Sequence, residues 1–282
     1  MTDYVTPNEL MAEVVRAGKR KSQLTSSDML LRGALSGVFL GFATSLVFIV
    51  QTQGVPAIVG AILFPVGFVM LVLLGLELVT GNFAILPTAV AAREITLVRM
   101  LRNWFWVYTG NLLGSVGYAL LFYLAITNCG MNNGGPVGDL LRVAATKKTV
   151  AYMAMGGAGW TTALVKAVLC NWMVTVGALL AMVSRSTTGK IIAMWLPILT
   201  FFAQGFEHSV VNMFVIPAGM FLHAPVTMSN WWLWNQIPVT LGNIISGSLF
   251  TGLALYSTFG VRPAAVEPAA APVAELASVN AR

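Results

Sequence analysis

A few side chains that can carry charge or protons lie inside otherwise apolar stretches of this 282-residue chain. Ionisable groups in a membrane are costly, and they usually line a cavity or pair with one another. A histidine also changes its protonation state near neutral pH. These residues therefore predict a path for a small charged or protonatable solute. The ionisable residues are Glu77, Lys166, Glu207 and His208, and Thr80 adds a hydroxyl group.

The surrounding composition is typical of a membrane protein. Hydrophobic residues make up 57% of the chain and charged residues only 9%, whereas about a quarter of the residues in soluble domains are charged. Uncharged stretches such as 33–76 and 208–261 are long enough for several membrane-spanning helices. The net charge of +6 sits in short segments beside these stretches, so we expect no nucleic-acid interface. We expect an all-α fold in a lipid bilayer.

Hydropathy predicts six transmembrane helices, which would place both chain ends on one side of the membrane. Twelve of the 16 Lys and Arg residues fall on that side. The positive-inside rule therefore predicts that both termini are cytoplasmic. The predicted spans cover residues 33–50, 57–80, 104–127, 160–183, 191–220 and 238–260.

Three regions are expected along the chain. In residues 1–31, Thr6 and Glu9 form a capping-box pattern before apolar residues at helical spacing. This pattern predicts a cytoplasmic amphipathic helix on the membrane surface. Residues 32–261 are expected to form the transmembrane channel domain. Residues 262–282 are rich in Ala and Pro, which predicts a disordered cytoplasmic tail.

The transmembrane region contains an internal repeat, with halves of about 32–127 and 160–260. Each half holds three predicted spans, and three is an odd number, so the second half enters the membrane from the opposite face. Inverted repeats place their site near the midplane, at interrupted helices, and we expect such breaks within 75–87 and 205–217. The matching pairs are Gly75/Gly205, Glu77/Glu207, Asn82/Asn212, Pro87/Pro217, Asn103/Asn235 and Asn111/Asn243.

One titratable position breaks this repeat, because His208 corresponds to Leu78 in the first half. We interpret His208 as a pore group, and the alternative is a packed neutral histidine. Thr80 lies in the other break and is expected to face His208. Glu77 and Glu207 have a structural interpretation, in which each carboxylate binds backbone N–H groups at its break or pairs with a basic side chain.

The lysines of the second half have two interpretations each. Lys166 is either a snorkelling anchor or an anion-attracting residue at a pore mouth. Lys147 and Lys148 are either solvated loop charges or residues that steer anions toward the mouth. Cys129 and Cys170 lie far apart, and no zinc, haem, phosphate-loop or nucleophile pattern is present. We therefore expect no cofactor, no metal and no catalytic residue.

Three motifs resemble those of the formate/nitrite transporter family. They are Gly-Phe-Glu-His-Ser-Val-Val-Asn-Met-Phe at 205–214, Glu-Leu-Val-Thr-Gly-Asn at 77–82 and Cys-Asn-Trp at 170–172. The resemblance covers about residues 31–256. It implies an aquaporin-like fold with broken second and fifth helices, assembled as a homopentamer in a bacterial inner membrane.

The resemblance also assigns pore residues. It implies two apolar constrictions that flank a central His208, with Thr80 opposite that histidine and with Asn82, Asn171, Glu207 and Asn212 around the pore. The family has a lysine closer to the Asn-Trp motif than Lys147 or Lys148, so the anion-attracting lysine stays open among these two and Lys166. The constriction residues are Phe64, Phe68, Leu78 and Phe201.

The resulting hypothesis is transport of a small monovalent weak-acid anion, formate or nitrite, by a channel-like or proton-coupled route. Two alternatives within transport stay open: a neutral-solute channel of the aquaporin type, and a channel for hydrosulfide or another anion. An intramembrane enzyme that uses Glu207 and His208 as an acid/base pair is disfavoured, because Glu77 repeats without a partner histidine.

Overall fold

The computed structural model describes residues 3–260, and this part of the chain is almost wholly helical. Its only bridge of the β type joins Tyr4 and Ser184 within that range. The expected all-helical class is therefore confirmed. The predicted tail at 262–282 lies outside the described residues.

The first helix, α1 (Pro7–Ser22), begins as predicted. The Glu9 carboxylate accepts a hydrogen bond of 2.9 Å from the backbone N–H of Thr6, which completes the capping box. The position of α1 differs from our expectation. Its apolar face, which includes Met11 and Val14, packs against Ile85 and Leu179 of the protein rather than a lipid surface.

The rest of the first half consists of α2 (Ser26–Gln51), α3 (Ala57–Leu63), α4 (Pro65–Leu73), α5 (Val79–Ala91) and α6 (Leu97–Ile126). The Thr25 hydroxyl caps α2 by accepting from the backbone N–H of Asp28. The expected domain boundary between residues 31 and 32 was therefore wrong, because it falls inside α2.

The second half consists of α7 (Gly135–Lys148), α8 (Val150–Ala154), α9 (Gly157–Leu180), α10 (Thr187–Ala203), α11 (Ser209–Phe221) and α12 (Met228–Phe259). Two π-helical segments, Trp232–Gln236 and Ser246–Leu253, interrupt α12. Lys147 and Lys148 form the last turn of α7, so their interpretation as loop charges was wrong.

Within residues 3–260, four helices are long and apolar enough to cross a membrane. They are α2, α6, α9 and α12. The helices α5, α10 and α11 are shorter but also apolar, as is the α3–α4 segment.

Two helix breaks lie at matching places in the halves. The first break covers 74–78, between α4 and α5, and the second covers 204–208, between α10 and α11. Gly75 and Gly205 have φ angles of +65° and +66°, which side chains with a Cβ rarely adopt. Both expected breaks are thus confirmed.

The repeated prolines lie outside these breaks, because Pro87 and Pro217 are inside α5 and α11. A proline leaves the carbonyl four residues earlier without its helical donor. For Pro87 this carbonyl belongs to Phe83, and the Ser248 hydroxyl donates to it at 2.9 Å. A neighbouring helix therefore makes the proline tolerable.

Helices α2 and α6 approach each other through glycines, so their backbones come into contact. A Cβ atom at Gly110 would meet the backbone of Leu30, and one at Gly114 would meet that of Ala34. Such close packing of small residues is typical of helix pairs in membranes. It positions the polar side chains of α6 next to the first break.

Candidate functional site

A buried asparagine holds the backbone of each break. Asn111 Oδ1 accepts from the Val79 N–H at 2.9 Å, and its Nδ2 donates to the carbonyls of Gly33 and Glu77 at 2.8 and 2.9 Å. A break inside apolar surroundings exposes backbone groups that need partners. Asn111 supplies partners for two of them, and its third bond ties the break to α2.

Asn243 does the same in the second half. Its Oδ1 accepts from the Ser209 N–H at 3.0 Å, and its Nδ2 donates to the carbonyls of Ala167 and Glu207 at 2.8 and 3.2 Å. The sequence repeat had matched Asn111 with Asn243, but it assigned them no role.

Each break also carries an ion pair. In the first lysine–glutamate pair, Lys21 Nζ lies 2.7 Å from Glu77 Oε1, and in the second, Lys148 Nζ lies 2.8 Å from Glu207 Oε2. Both glutamate side chains are 4% exposed. Of the two alternatives in our structural interpretation, backbone N–H groups or a basic side chain, the structure shows a basic partner for both carboxylates. It also adds Lys21, which was not predicted from the sequence.

Two asparagines extend each pair. Asn82 Nδ2 donates to Glu77 Oε2 at 2.8 Å and to Asn103 Oδ1 at 2.9 Å. Asn212 Nδ2 makes the equivalent bonds to Glu207 Oε2 and Asn235 Oδ1, at 2.8 and 2.9 Å. Asn82 and Asn212 therefore hold the glutamates in place.

The internal repeat also includes α1 and α7, which carry Lys21 and Lys148. The Asn103 amide donates to the Lys21 carbonyl, and the Asn235 amide donates to that of Lys148. The packing matches as well, because a Cβ at Gly18 of α1 would meet Ala89 of α5, and one at Gly219 of α11 would meet Ala145 of α7. Helices α1 and α7 are therefore equivalent elements of the two halves.

Thr80, in the first turn of α5, and His208, the N-cap residue of α11, lie together. Thr80 Oγ1 lies 3.0 Å from His208 Nε2, and both residues are buried. The backbone N–H of Val211 donates to His208 Nδ1 at 3.2 Å, so this ring nitrogen caps α11 and carries no hydrogen. We therefore assign the neutral tautomer with its hydrogen on Nε2, which donates to the Thr80 hydroxyl.

Apolar side chains lie near this polar contact. The Phe201 ring stacks on His208 with a centroid distance of 5.8 Å, and the edge of Phe64 packs against Phe201. Phe68 and Leu78 line a cavity of about 980 Å³. This cavity, which we call the first mouth, is also lined by Lys21 and Glu77 and by the basic residues Arg16, Arg20, Arg32, Arg185 and Lys190.

Asn171 contacts the same region from α9. Its Nδ2 donates to the Thr80 carbonyl at 3.1 Å and to the Asn243 carbonyl at 2.7 Å. Its Oδ1 is buried and has no hydrogen-bond partner among the described residues. Asn171 thus fixes the backbone at Thr80 and leaves one acceptor unused.

The second half carries an equivalent polar group, which we call the second mouth and which comprises Lys148, Glu207, Tyr152 and Lys166. The Tyr152 hydroxyl donates to Glu207 Oε1 at 2.9 Å, and Lys166 Nζ lies 5.9 Å from the centre of the Tyr152 ring. Tyr152 was not predicted from the sequence. Lys147 is exposed and belongs to neither lysine–glutamate pair.

No cluster of metal-binding side chains occurs in the part of the chain that the structure describes. Cys129 is exposed and Cys170 is buried, and neither forms a disulfide.

Long apolar helices, two matched helix breaks and a polar contact between the break tips define an integral membrane transport protein. The family model described as "Formate/nitrite transporter" matches residues 8–257. The chain therefore belongs to the formate/nitrite transporter family, and it is not an enzyme.

Relatives of known name support this assignment. The chain is 35% identical over 280 residues to a probable formate transporter of Methanothermobacter thermautotrophicus, covering 92% of this chain and 98% of the relative. A solved "FNT family ion channel" aligns with a TM-score of 0.78 at 27% identity, covering 89% of this chain and 98% of that one. A solved "pentameric formate channel with formate bound" aligns with a TM-score of 0.68 at 25% identity, covering 83% of this chain and 97% of that one.

Proposed function

We propose that this protein conducts small monovalent weak-acid anions across a membrane, with formate as the first substrate and nitrite as the second. The relative and one of the aligned structures are named for formate, which supports formate as the leading choice. The observation that carries the proposal is the buried contact between His208 and Thr80, which offers polar hydrogens between apolar side chains.

The proposed architecture has six spans. They are α2, α3–α5, α6, α9, α10–α11 and α12, in an aquaporin-like inverted repeat with breaks in the second and fifth spans. The distribution of basic residues supports cytoplasmic termini, with the first mouth on the cytoplasmic side. The pentameric relative supports a homopentamer with one pore per subunit, in a bacterial inner membrane.

The chemistry follows from the cost of moving an ion through apolar surroundings. An isolated carboxylate loses its hydration there, at a cost of several kcal/mol or more unless it finds donors. In the proposed pore, Phe64 and Phe201 form one constriction, and Phe68 and Leu78 form the other. The donors lie between them, because His208 Nε2–H binds Thr80 and leaves the Thr80 hydroxyl hydrogen available to an anion.

The tautomer bears on channel conduction and proton coupling. A neutral His208 supplies its hydrogen bond without any change of protonation. Adding a proton places a hydrogen on Nδ1, which faces the Val211 N–H and must give up that bond. Proton-coupled transport therefore requires the ring to move, whereas channel conduction does not.

Charged residues at the two mouths would concentrate anions. Lys147, Lys148 and Lys166 would supply this attraction at the second mouth, and the basic residues around the cavity would supply it at the first. In this scheme Glu207, Asn82 and Asn212 have supporting roles, because they hold the lysines and the break backbone rather than the anion.

The test is flux into proteoliposomes that contain the whole chain, with formate, nitrite and glycerol as separate solutes. We expect saturable formate flux, with a large loss in His208→Asn and in Thr80→Val. Thr44→Val is the matched control, because the Thr44 hydroxyl is also buried but donates only to the Leu40 carbonyl of its own helix. Glycerol or water flux without anion flux would contradict the proposal and support a neutral-solute channel.

A further inference from the structure

Helix α8 has no counterpart in the first half. Residues 23–25 separate α1 from α2, whereas residues 149–156 separate the equivalent α7 from α9. The extra residues of the second half form α8 and carry Tyr152, which is 6% exposed. The Tyr152 hydroxyl is therefore an addition to one mouth of an otherwise repeated structure.

This hydroxyl changes how the glutamate is held. At the first mouth, Lys21 donates to Glu77 Oε1 and Asn82 donates to Glu77 Oε2, so each oxygen has one side-chain donor. If Lys21 left, Glu77 Oε1 would lose its donor. A buried carboxylate oxygen without a donor is costly, so this arrangement holds Lys21 in place.

At the second mouth the lysine is not needed to satisfy either oxygen. Tyr152 donates to Glu207 Oε1, while Lys148 and Asn212 both donate to Oε2. If Lys148 moved away, each oxygen would keep a neutral donor. The Lys148 side chain is 22% exposed and is thus open to the mouth.

We propose that Tyr152 is a positioning residue that releases Lys148 from Glu207 to bind an anion arriving at the second mouth. Tyr152 donates to Glu207 Oε1, which Lys148 does not contact. The Lys148 ammonium group can therefore leave the Glu207 carboxylate and bind the carboxylate of an incoming formate. Lys166, over the Tyr152 ring, adds a second positive charge at the same place. The second mouth becomes the higher-affinity entrance, and this inference rests on the proposed anion transport.

The experiment measures the formate concentration that gives half-maximal flux, separately for each mouth. Cys129 lies in the connection between α6 and α7, where a Cβ at Gly134 would meet Leu222 at the end of α11. This connection lies on the side of the second mouth. A membrane-impermeant biotin maleimide that reacts with exposed Cys129 therefore separates vesicles by orientation, because Cys170 is buried.

In Tyr152→Phe we expect the half-saturating formate concentration to rise about 10-fold at the second mouth, the effect of one hydrogen bond to a charged group. The maximal flux from that mouth should rise in proportion, because at zero driving force the ratio of maximal flux to half-saturating concentration must be equal from the two sides of a passive pore. The values at the first mouth should not change. Tyr108→Phe is the matched control, because Tyr108 is partly buried and its hydroxyl bonds Gln236 and Thr240 away from both lysine–glutamate pairs. Tyr108→Phe should leave the half-saturating formate concentration unchanged at both mouths.

A coupled variant separates positioning from a general effect on folding. In Glu207→Gln the carboxylate that ties Lys148 is absent, so adding Tyr152→Phe should produce no further shift. A further shift in that background, an equal shift at both mouths, or a loss of maximal flux alone would overturn the inference. Absence of saturable formate flux in the unaltered chain would overturn the proposed function as well.

Discussion

The first and second breaks share the same supporting residues, which we call the frame, but differ in the residue just before the next helix, which we call the tip. Both contain a left-handed glycine, an asparagine that bonds three backbone groups and a glutamate paired with a lysine. The residue that precedes the following helix is Leu78 in the first break and His208 in the second. The frame maintains an interrupted helix in apolar surroundings, and the tip residue determines what a solute meets there.

The two breaks also differ at the position two residues after Leu78 and His208. Thr80, two residues after Leu78, faces His208, while the equivalent Val210 offers no hydroxyl. One half thus contributes the hydroxyl and the other the imidazole. The polar contact exists only because the two halves are unequal.

The largest expected effect on formate flux comes from placing the same residue, leucine, before the helix that follows each break. His208→Leu removes the imidazole donor between the apolar side chains, and we expect formate flux to fall at least about 100-fold, because the anion loses a partner worth several kcal/mol. The measurement is proteoliposome flux with a thermal-unfolding control. Moving the histidine with Leu78→His in the same chain should not restore flux, because position 78 does not have the Thr80 contact. Flux within a few-fold of the original would show that the tip difference has no role.

The next effect tests whether the frames are equivalent. Asn111→Ala and Asn243→Ala each remove three hydrogen bonds to buried backbone groups. We expect each to lower the free energy of unfolding by about 3–5 kcal/mol. Unfolding in a mild detergent measures both. Values that differ by more than about 2 kcal/mol would contradict the equivalence of the two frames.

A smaller effect separates the two lysine–glutamate pairs. Lys21→Met leaves Glu77 with one side-chain donor, whereas Lys148→Met leaves Glu207 with Tyr152 and Asn212. We expect Lys21→Met to be the more destabilising by about 1–2 kcal/mol in the same unfolding assay. The double variants with Glu77→Gln and Glu207→Gln serve as controls, because they also remove the unpaired charge.

The smallest effect concerns the segment before α1, which docks onto the connection between α9 and α10. Hydrogen bonds from the Ser184 hydroxyl and the Ser186 N–H lower the pKa of Asp3. A lowered pKa in the folded state stabilises docking above the unfolded-state pKa, and this stabilisation is lost as the pH falls below about 4. Hydrogen exchange should therefore show faster exchange of α1 amides in acid, and Asp3→Ala should show it at neutral pH. No such change is expected in α7.

The repeat and the breaks were predictable from the sequence because they depend on local features. Glycine is favoured where φ is positive. A polar residue that recurs at a fixed offset in apolar helices indicates a repeated structural role. These signals predicted breaks near Gly75 and Gly205 and placed Thr80 near His208. The resemblance to the family rested on the same short motifs.

The partners of the glutamates were not predictable in this way. Lys21 and Lys148 are 56 and 59 residues from Glu77 and Glu207, so only the folded chain brings them together. Their offset of 127 residues also differs from the 130 of the glutamates, which hid the match. Tyr152 has no counterpart at all, and Lys147 and Lys148 looked like loop charges because α7 is much less apolar than the spanning helices.

The equivalence of α1 and α7 has a practical consequence for dividing the molecule. A fragment of the first half that starts at α2 would lack Lys21, the cation that neutralises Glu77. Matched half-chains for split-protein reassembly should therefore begin at α1 and α7, near residues 3 and 134, so that each fragment brings its own counter-ion.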